Sequence, residues 1–181
     1  MELFLSFAPS HETRLAFLDA AEQAQGHATG EKHRYETLHS TLTYLGEIDE
    51  VRLPEIRDLV GEVAGRHHPL PVKGKGIEVS HDTSVYNAWG LLYIWEKTPE
   101  VQALFEDMRD TLTEKGFLKN YEREYLLHST LFMKYFPNEG EEEWVPSIPA
   151  PTDCFDEIIL YQVTTIDDHV AYYPLYWARL K

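Results

Sequence analysis

The chain lacks most of what secreted and membrane proteins depend on. It has one cysteine, Cys154, so no internal disulfide can form and a Cys-rich zinc site is excluded. That thiol is expected to be a small core residue. No apolar run approaches the ~20 residues needed to cross a bilayer. The opening MELFLSFAPS carries Glu2, reaches Pro9 quickly and has no basic leader, which fits a first strand rather than a signal peptide. A cytoplasmic protein without a membrane partner is expected. Positive charge is also scarce, with 16 basic residues against 31 acidic ones and a net charge of −15. Binding of long nucleic acid draws its affinity from neutralised phosphates, so a chain this acidic opposes a broad DNA or RNA surface. A small phosphate-bearing ligand needs only a few local cations and stays open.

Several catalytic signatures are missing too. There is no H-E-x-x-H and no G-x-S-x-G, so a zinc protease or an elbow serine hydrolase has no support. KGKG at 73–76 lacks the rest of a phosphate-cradling loop and is expected to be a lysine-bearing strand bend.

What is present fits one domain over residues 1–181, with 43% hydrophobic and 26% charged residues. Residues 2–7 read as a strand, 10–25 as a helix capped by Ser10, 26–34 as a polar loop and 35–45 as a strand. A second helix spans 47–66. Strands at 70–80 and 84–95 turn around Asp82. The helix at 98–116 is capped by Thr98, started by Pro99 and ended by Gly116. A strand at 121–136, an acidic proline-bearing connector at 137–151 and a hairpin of 154–165 with 169–180 around Asp167 and Asp168 complete the chain. The order β-α-β-α-β-β-α-β-β-β predicts an α+β fold with largely antiparallel sheet.

One pentapeptide occurs twice. LHSTL stands at 38–42 and again at 127–131, with the two histidines 89 residues apart. The tripeptide H-x-T alone means little, since it also begins at His11, His27 and His81. Only His39 and His128 lie within apolar strand sequence. Strand alternation sends His39, Thr41 and Thr43 to one face and Leu38, Ser40, Leu42 and Tyr44 to the other. In the second copy His128, Thr130 and Phe132 share a face. Each strand thus offers an imidazole and a hydroxyl about 7 Å apart.

Two such strands facing each other supply what phosphodiester cleavage needs. A neutral imidazole takes a proton from water, and a protonated one gives a proton to the leaving ribose oxygen. The hydroxyls of Thr41 and Thr130 can donate to non-bridging phosphate oxygens. No metal and no cofactor is required by this chemistry. Tyr35, Tyr44, Tyr86, Trp89, Tyr125 and Phe132 flank the expected groove strands and are candidates for stacking a base.

The paired segments LHSTLTYLGEIDE and LLHSTLF resemble the H-x-T/S-x-φ signatures (φ apolar) of the two-histidine phosphoesterase superfamily. The bacterial and archaeal 2′-5′ RNA ligase / RNA 2′,3′-cyclic phosphodiesterase branch is the most similar. The resemblance implies a bilobal α+β fold: two pseudo-symmetric, mostly antiparallel sheets, helices outside and a central groove. It implies metal-independent opening of a 2′,3′-cyclic phosphate on an RNA end or nucleotide, leaving a 2′-phosphate. Carried over by position, His39 and His128 are the catalytic pair, with His128 as base and His39 as acid, and Thr41 and Thr130 hold the phosphate. Thr43, Tyr44, Phe132 and Lys134 are the further groove or base contacts. Relatives often place an arginine shortly after each motif, where this chain has Thr43 and Met133. The expected partner is a small nucleotide or an RNA end, handled by a monomer. Two alternatives accompany this expectation: a phosphodiesterase for 3′,5′-cyclic or cyclic-oligonucleotide signals, and a nucleotide-binding module without turnover.

Overall fold

The computed structural model describes residues 1–81, 89–118, 125–166 and 169–181. The turn at Asp82, Tyr86 and the start of the 84–95 strand, the start of the 121–136 strand and the Asp167–Asp168 turn lie outside the described residues. The elements run β1 (Glu2–Phe7), α1 (His11–Gln25), β2 (Ala28–Lys32), β3 (Ser40–Glu47), α2 (Leu53–Ala64), β4 (Leu70–Ser80), β5 (Gly90–Trp95), α3 (Pro99–Glu114), β6 (His128–Pro137), β7 (Thr152–Phe155), β8 (Glu157–Ile166) and β9 (His169–Arg179). Short 3₁₀ turns at Tyr35–Thr37 and Glu50–Arg52 precede β3 and α2. The α+β expectation and its antiparallel pairing hold.

The helices begin where their caps dictate. The Ser10 side chain accepts from the Thr13 amide at the start of α1, and Thr98 does the same for Val101 at the start of α3. Behind α3, Gly116 takes φ +71°, which lets the Phe117 amide reach back to the Leu112 carbonyl at 2.8 Å. The α2 stripe of Ile56, Leu59, Val60 and Val63 and the α3 stripe of Val101, Leu104, Phe105 and Met108 are buried. One hydrophobic core joins them to β1, β5, β6 and β8.

The strand order is β7-β4-β5-β6-β3-β1-β8-β9, with β2 added on β6. The path has two halves, β7-β4-β5-β6 and β3-β1-β8-β9, which meet at β6 and β3. That junction has one paired position, Ser40 opposite Ser129.

Some segments differ from expectation. The strand expected at 35–45 begins only at Ser40, because Tyr35–Thr37 form a 3₁₀ turn. Residues 28–32 form β2, although they read as loop, because only Ala28 is buried and backbone pairing to β6 rather than apolar alternation holds them. Gly30 at φ +140° is needed there, since a Cβ would lie 2.4 Å from the Lys134 carbonyl oxygen. The strand expected at 154–165 divides at Asp156, so that β7 pairs with β4 while β8 pairs with β1. Cys154 lies on that edge strand and is exposed rather than in the core.

The KGKG segment is a strand bend, as expected. A register shift separates Gly74 from Gly76, and a Cβ at Gly74 would stand 1.6 Å from the hydroxyl of fully buried Tyr93. Gly74→Ala therefore overpacks a rigid ring, at a cost of about 3 kcal/mol. The expected result is a melting temperature lower by about 5–10 °C, read by thermal circular dichroism.

Candidate active site

The two pentapeptides do meet. The side chains of Ser40 and Ser129 are fully buried, and their hydroxyls bond to each other at 2.6 Å. Alternation then sends His39 and Thr41, and His128 and Thr130, to the opposite face of the junction. In this antiparallel register His39 stands toward Thr130 and Thr41 toward His128. His39 lies one residue ahead of β3 and His128 opens β6.

Both imidazoles are held in the same way. His39 Nδ1 donates to the Thr37 carbonyl at 2.7 Å, and His128 Nδ1 donates to the Leu126 carbonyl at 2.9 Å. A carbonyl can only accept, so each ring carries its proton on Nδ1 and leaves Nε2 as the basic nitrogen. His39 Nε2 accepts from the Thr41 hydroxyl at 3.1 Å. Burial, then the neighbouring His33, hold His39 down to about 3; His128 and Arg14 add smaller lowering effects, while the Thr37 carbonyl opposes them. Burial also lowers His128, against the opposing pull of the Leu126 carbonyl. Both rings are therefore neutral at neutral pH.

Matching irregularities displace the residues after each threonine. β1 pairs Ser6 with Thr41 but Leu5 with Thr43, so Leu42 is an extra residue in β3. β5 pairs Leu92 with Thr130 but Leu91 with Phe132, so Leu131 is the extra residue in β6. The last leucine of each pentapeptide is thus a bulge position, a feature often found beside active sites. Thr43 falls on the side of buried Leu5 instead of the His39 side. Tyr44 falls on the side of Phe4, is exposed and donates to the Glu2 carboxylate at 2.5 Å. Phe132 is buried in the core against Tyr135 rather than lining the groove, and Met133 takes the groove side. Lys134, at φ 54°, departs from regular strand and pairs with Glu31 at 3.0 Å. Tyr125 stacks on Phe105 and is buried, its hydroxyl donating to the Thr41 carbonyl at 3.1 Å. Trp89 packs against His81 and Phe136.

Other residues surround His39 instead. Its ring touches Phe4 at 4.9 Å and Tyr172 at 5.0 Å between centroids, with His33 at 6.1 Å. Tyr161 stacks on Phe4 at 5.3 Å. Arg14 of α1 adds a cation. Its Nε donates to the Pro9 carbonyl at 2.8 Å and its guanidinium lies 5.1 Å from the Tyr35 ring centre, while it makes no ion pair among the described residues. A cavity of about 280 Å³ opens beside this cluster, its walls including His33, Arg34, Thr37, Met133, His169 and Tyr172. The strand pattern gave no sign of these residues, because β1, β9 and α1 reach the motif only through the sheet order. Among the described residues no group of three or more His, Cys, Asp and Glu side chains could hold a metal ion, and no helix is long and apolar enough to cross a membrane.

Known proteins resemble this chain in sequence and in fold. Residues 8–87 match the family described as LigT like Phosphoesterase. The RNA 2′,3′-cyclic phosphodiesterase of Thermotoga maritima is 32% identical over 111 residues, covering 59% of this chain and 56% of that protein. The chain thus spans just over half the length of that relative. The crystal structure of TT0787 of Thermus thermophilus superposes with a TM-score of 0.83 at 19% identity, covering 99% of this chain and 98% of that one. E. coli LigT complexed with 3′-AMP gives 0.71 at 19% identity, covering 99% and 97%. At such identity the two structures speak for the fold, and the fold is the whole chain's. The first motif thus lies in a segment similar to the LigT-like phosphoesterases, and the whole chain shares the fold of the solved TT0787 and LigT structures.

Proposed function

We propose that this chain is a phosphodiesterase that opens 2′,3′-cyclic phosphates of RNA ends or nucleotides and leaves 2′-phosphates, with His39 and His128 as its acid–base pair. The observation that carries the reading is the two-fold repetition of one geometry across the Ser40–Ser129 junction: an imidazole fixed through Nδ1 to the carbonyl two residues back, with a basic Nε2 and a threonine two residues on. The activity named for the Thermotoga maritima relative supports it. Water attacks phosphorus while one Nε2 takes its proton. The bond from phosphorus to the ribose 3′ oxygen breaks, and the other imidazole protonates that oxygen. Thr41 and Thr130 donate to the non-bridging oxygens, and Arg14 adds positive charge beside His39.

The entering phosphate raises the proton affinity of both rings. His39 is the more deeply set and the more strongly lowered, which favours it as the neutral partner, the base, and leaves His128 as the acid. This order is the reverse of the one implied by resemblance. The cavity beside His39 receives the nucleoside portion, with the His33 and Tyr172 rings and the Arg34 charge around it. The 181 residues act as one bilobal unit and as a monomer.

A panel of 2′,3′-cyclic mononucleotides, 3′,5′-cyclic nucleotides and cyclic dinucleotides, assayed by chromatography with EDTA present, tests the proposal. The expected outcome is conversion of the 2′,3′-cyclic compounds to 2′-phosphates at a rate that chelation leaves unchanged. Turnover confined to the other two classes favours a signalling-nucleotide phosphodiesterase, and binding without turnover a nucleotide-binding module. Loss of activity on chelation contradicts the metal-free mechanism.

A further inference from the structure

Each H-S-T motif has a middle residue that the acid–base chemistry does not use. We propose that Ser40 and Ser129 are positioning residues, whose mutual hydrogen bond sets the separation of His39 and His128. The inference rests on the acid–base reading of that pair. The bond lies at the weakest point of the sheet. Every other junction along the main strand path has four or more paired residues, whereas β3 and β6 share only Ser40 opposite Ser129. A ladder of several pairs locks spacing by itself; a single pair leaves that task to side chains.

The two hydroxyls suit the role. Both are fully buried and 2.6 Å apart. Trp95 Nε1 donates to Ser129 Oγ at 3.2 Å, so that oxygen still has its proton and a lone pair for Ser40. The Trp95 ring is itself fixed in the core against Phe155, Tyr93 and Phe17. The chain Trp95–Ser129–Ser40 therefore anchors the junction to a rigid wall on its buried face. Each serine directly follows a histidine, so a shift of either backbone at this point moves an imidazole on the opposite face. The bond from Tyr125 to the Thr41 carbonyl is a second tie, 3.1 Å long, across the same seam.

Ser40→Ala and Ser129→Ala are the test, with kcat and KM measured on a 2′,3′-cyclic mononucleotide and the histidines titrated by NMR. A misplacement of about 1 Å costs on the order of 100-fold in rate, so a partly relaxed junction is expected to lower kcat about tenfold. KM should stay within about twofold, because the phosphate-binding hydroxyls remain. The double variant should lose no more than the worse single one, since the two groups form one bond. Ser40→Cys, which keeps size and a weak donor, should recover part of kcat and also serves if an alanine variant folds poorly. In Ser40→Ala the His39 titration should move upward, because a looser seam admits water and separates His39 from His128. A variant that melts earlier but keeps wild-type kcat and an unmoved His39 titration overturns the proposal. If the wild-type chain turns over no cyclic phosphate, the functional reading fails, and the His39 titration still decides whether the serine bond sets the spacing.

Discussion

Replacing His39 or His128 with alanine is expected to lower kcat for a 2′,3′-cyclic phosphate by about 10²–10⁴, the usual worth of a general acid or base. Each imidazole serves one end of the same displacement, and neither can do the other's task while its partner is gone. The double variant should therefore be little worse than either single one, as groups that act as a unit are strongly non-additive. Nothing in the fold depends on the basic nitrogens, because the Nδ1 bonds to Thr37 and Leu126 are local, two residues back along the chain. Circular dichroism of the variants should match the parent. An active His39→Ala or His128→Ala with normal turnover removes the paired mechanism, whatever the fold.

The second large effect is on stability in acid. His33 is buried and lowered to about 4 by that burial, and His39 to about 3. In the unfolded chain both titrate near 6.5. Above that value they are neutral in both states and contribute nothing to the pH dependence. Between 6.5 and about 4 for His33, or about 3 for His39, the unfolded chain takes up protons that the folded one refuses. Stability therefore drains as pH falls, at about 1.4 kcal/mol per pH unit for each histidine. From pH 7 to pH 5 this amounts to about 2 kcal/mol for His33 and, because the His39 residue keeps some contact with solvent, about 1 kcal/mol more. A protein of this size should lose on the order of 10 °C in melting temperature over that interval. Calorimetric melts at pH 7, 6 and 5 provide the check. His33→Gln should flatten the dependence by more than half, and a melting temperature that does not change between pH 7 and 5 contradicts the burial of neutral imidazoles.

What the residues disclose in advance is largely local. Caps at Ser10 and Thr98, the Gly116 stop, the apolar run of 2–7 and the alternation that begins at Leu70 each depend on a few neighbours, and each element stands where those neighbours put it. The histidine and threonine of each pentapeptide share a face for the same reason. What is hidden depends on partners distant in the chain. The bulges at Leu42 and Leu131 appear only when β3 is laid on β1 and β6 on β5, and they carry Thr43 and Phe132 off the histidine face and Met133 onto the groove. β2 is paired through its backbone, so its side chains give no periodic signal. Phe4, Tyr172, His33 and Arg14 gather at His39 from β1, β9, the segment before β3 and α1. Nothing in their own segments marks them as neighbours. The repeated serine carries a signal of its own. A small hydroxyl residue on the apolar face of both strands is out of place in a core unless it has a partner, and the partner is its own repeat.

The most direct measurement is a crystal structure with a nucleoside 2′-phosphate, the proposed product, bound. The account predicts one phosphorus held between the two motifs, with Nε2 of His39 and Nε2 of His128 each within about 2.6–3.2 Å of an oxygen on it, and the Thr41 and Thr130 hydroxyls on the remaining oxygens. A phosphate that engages a single imidazole, or one that settles away from the Ser40–Ser129 junction, contradicts it.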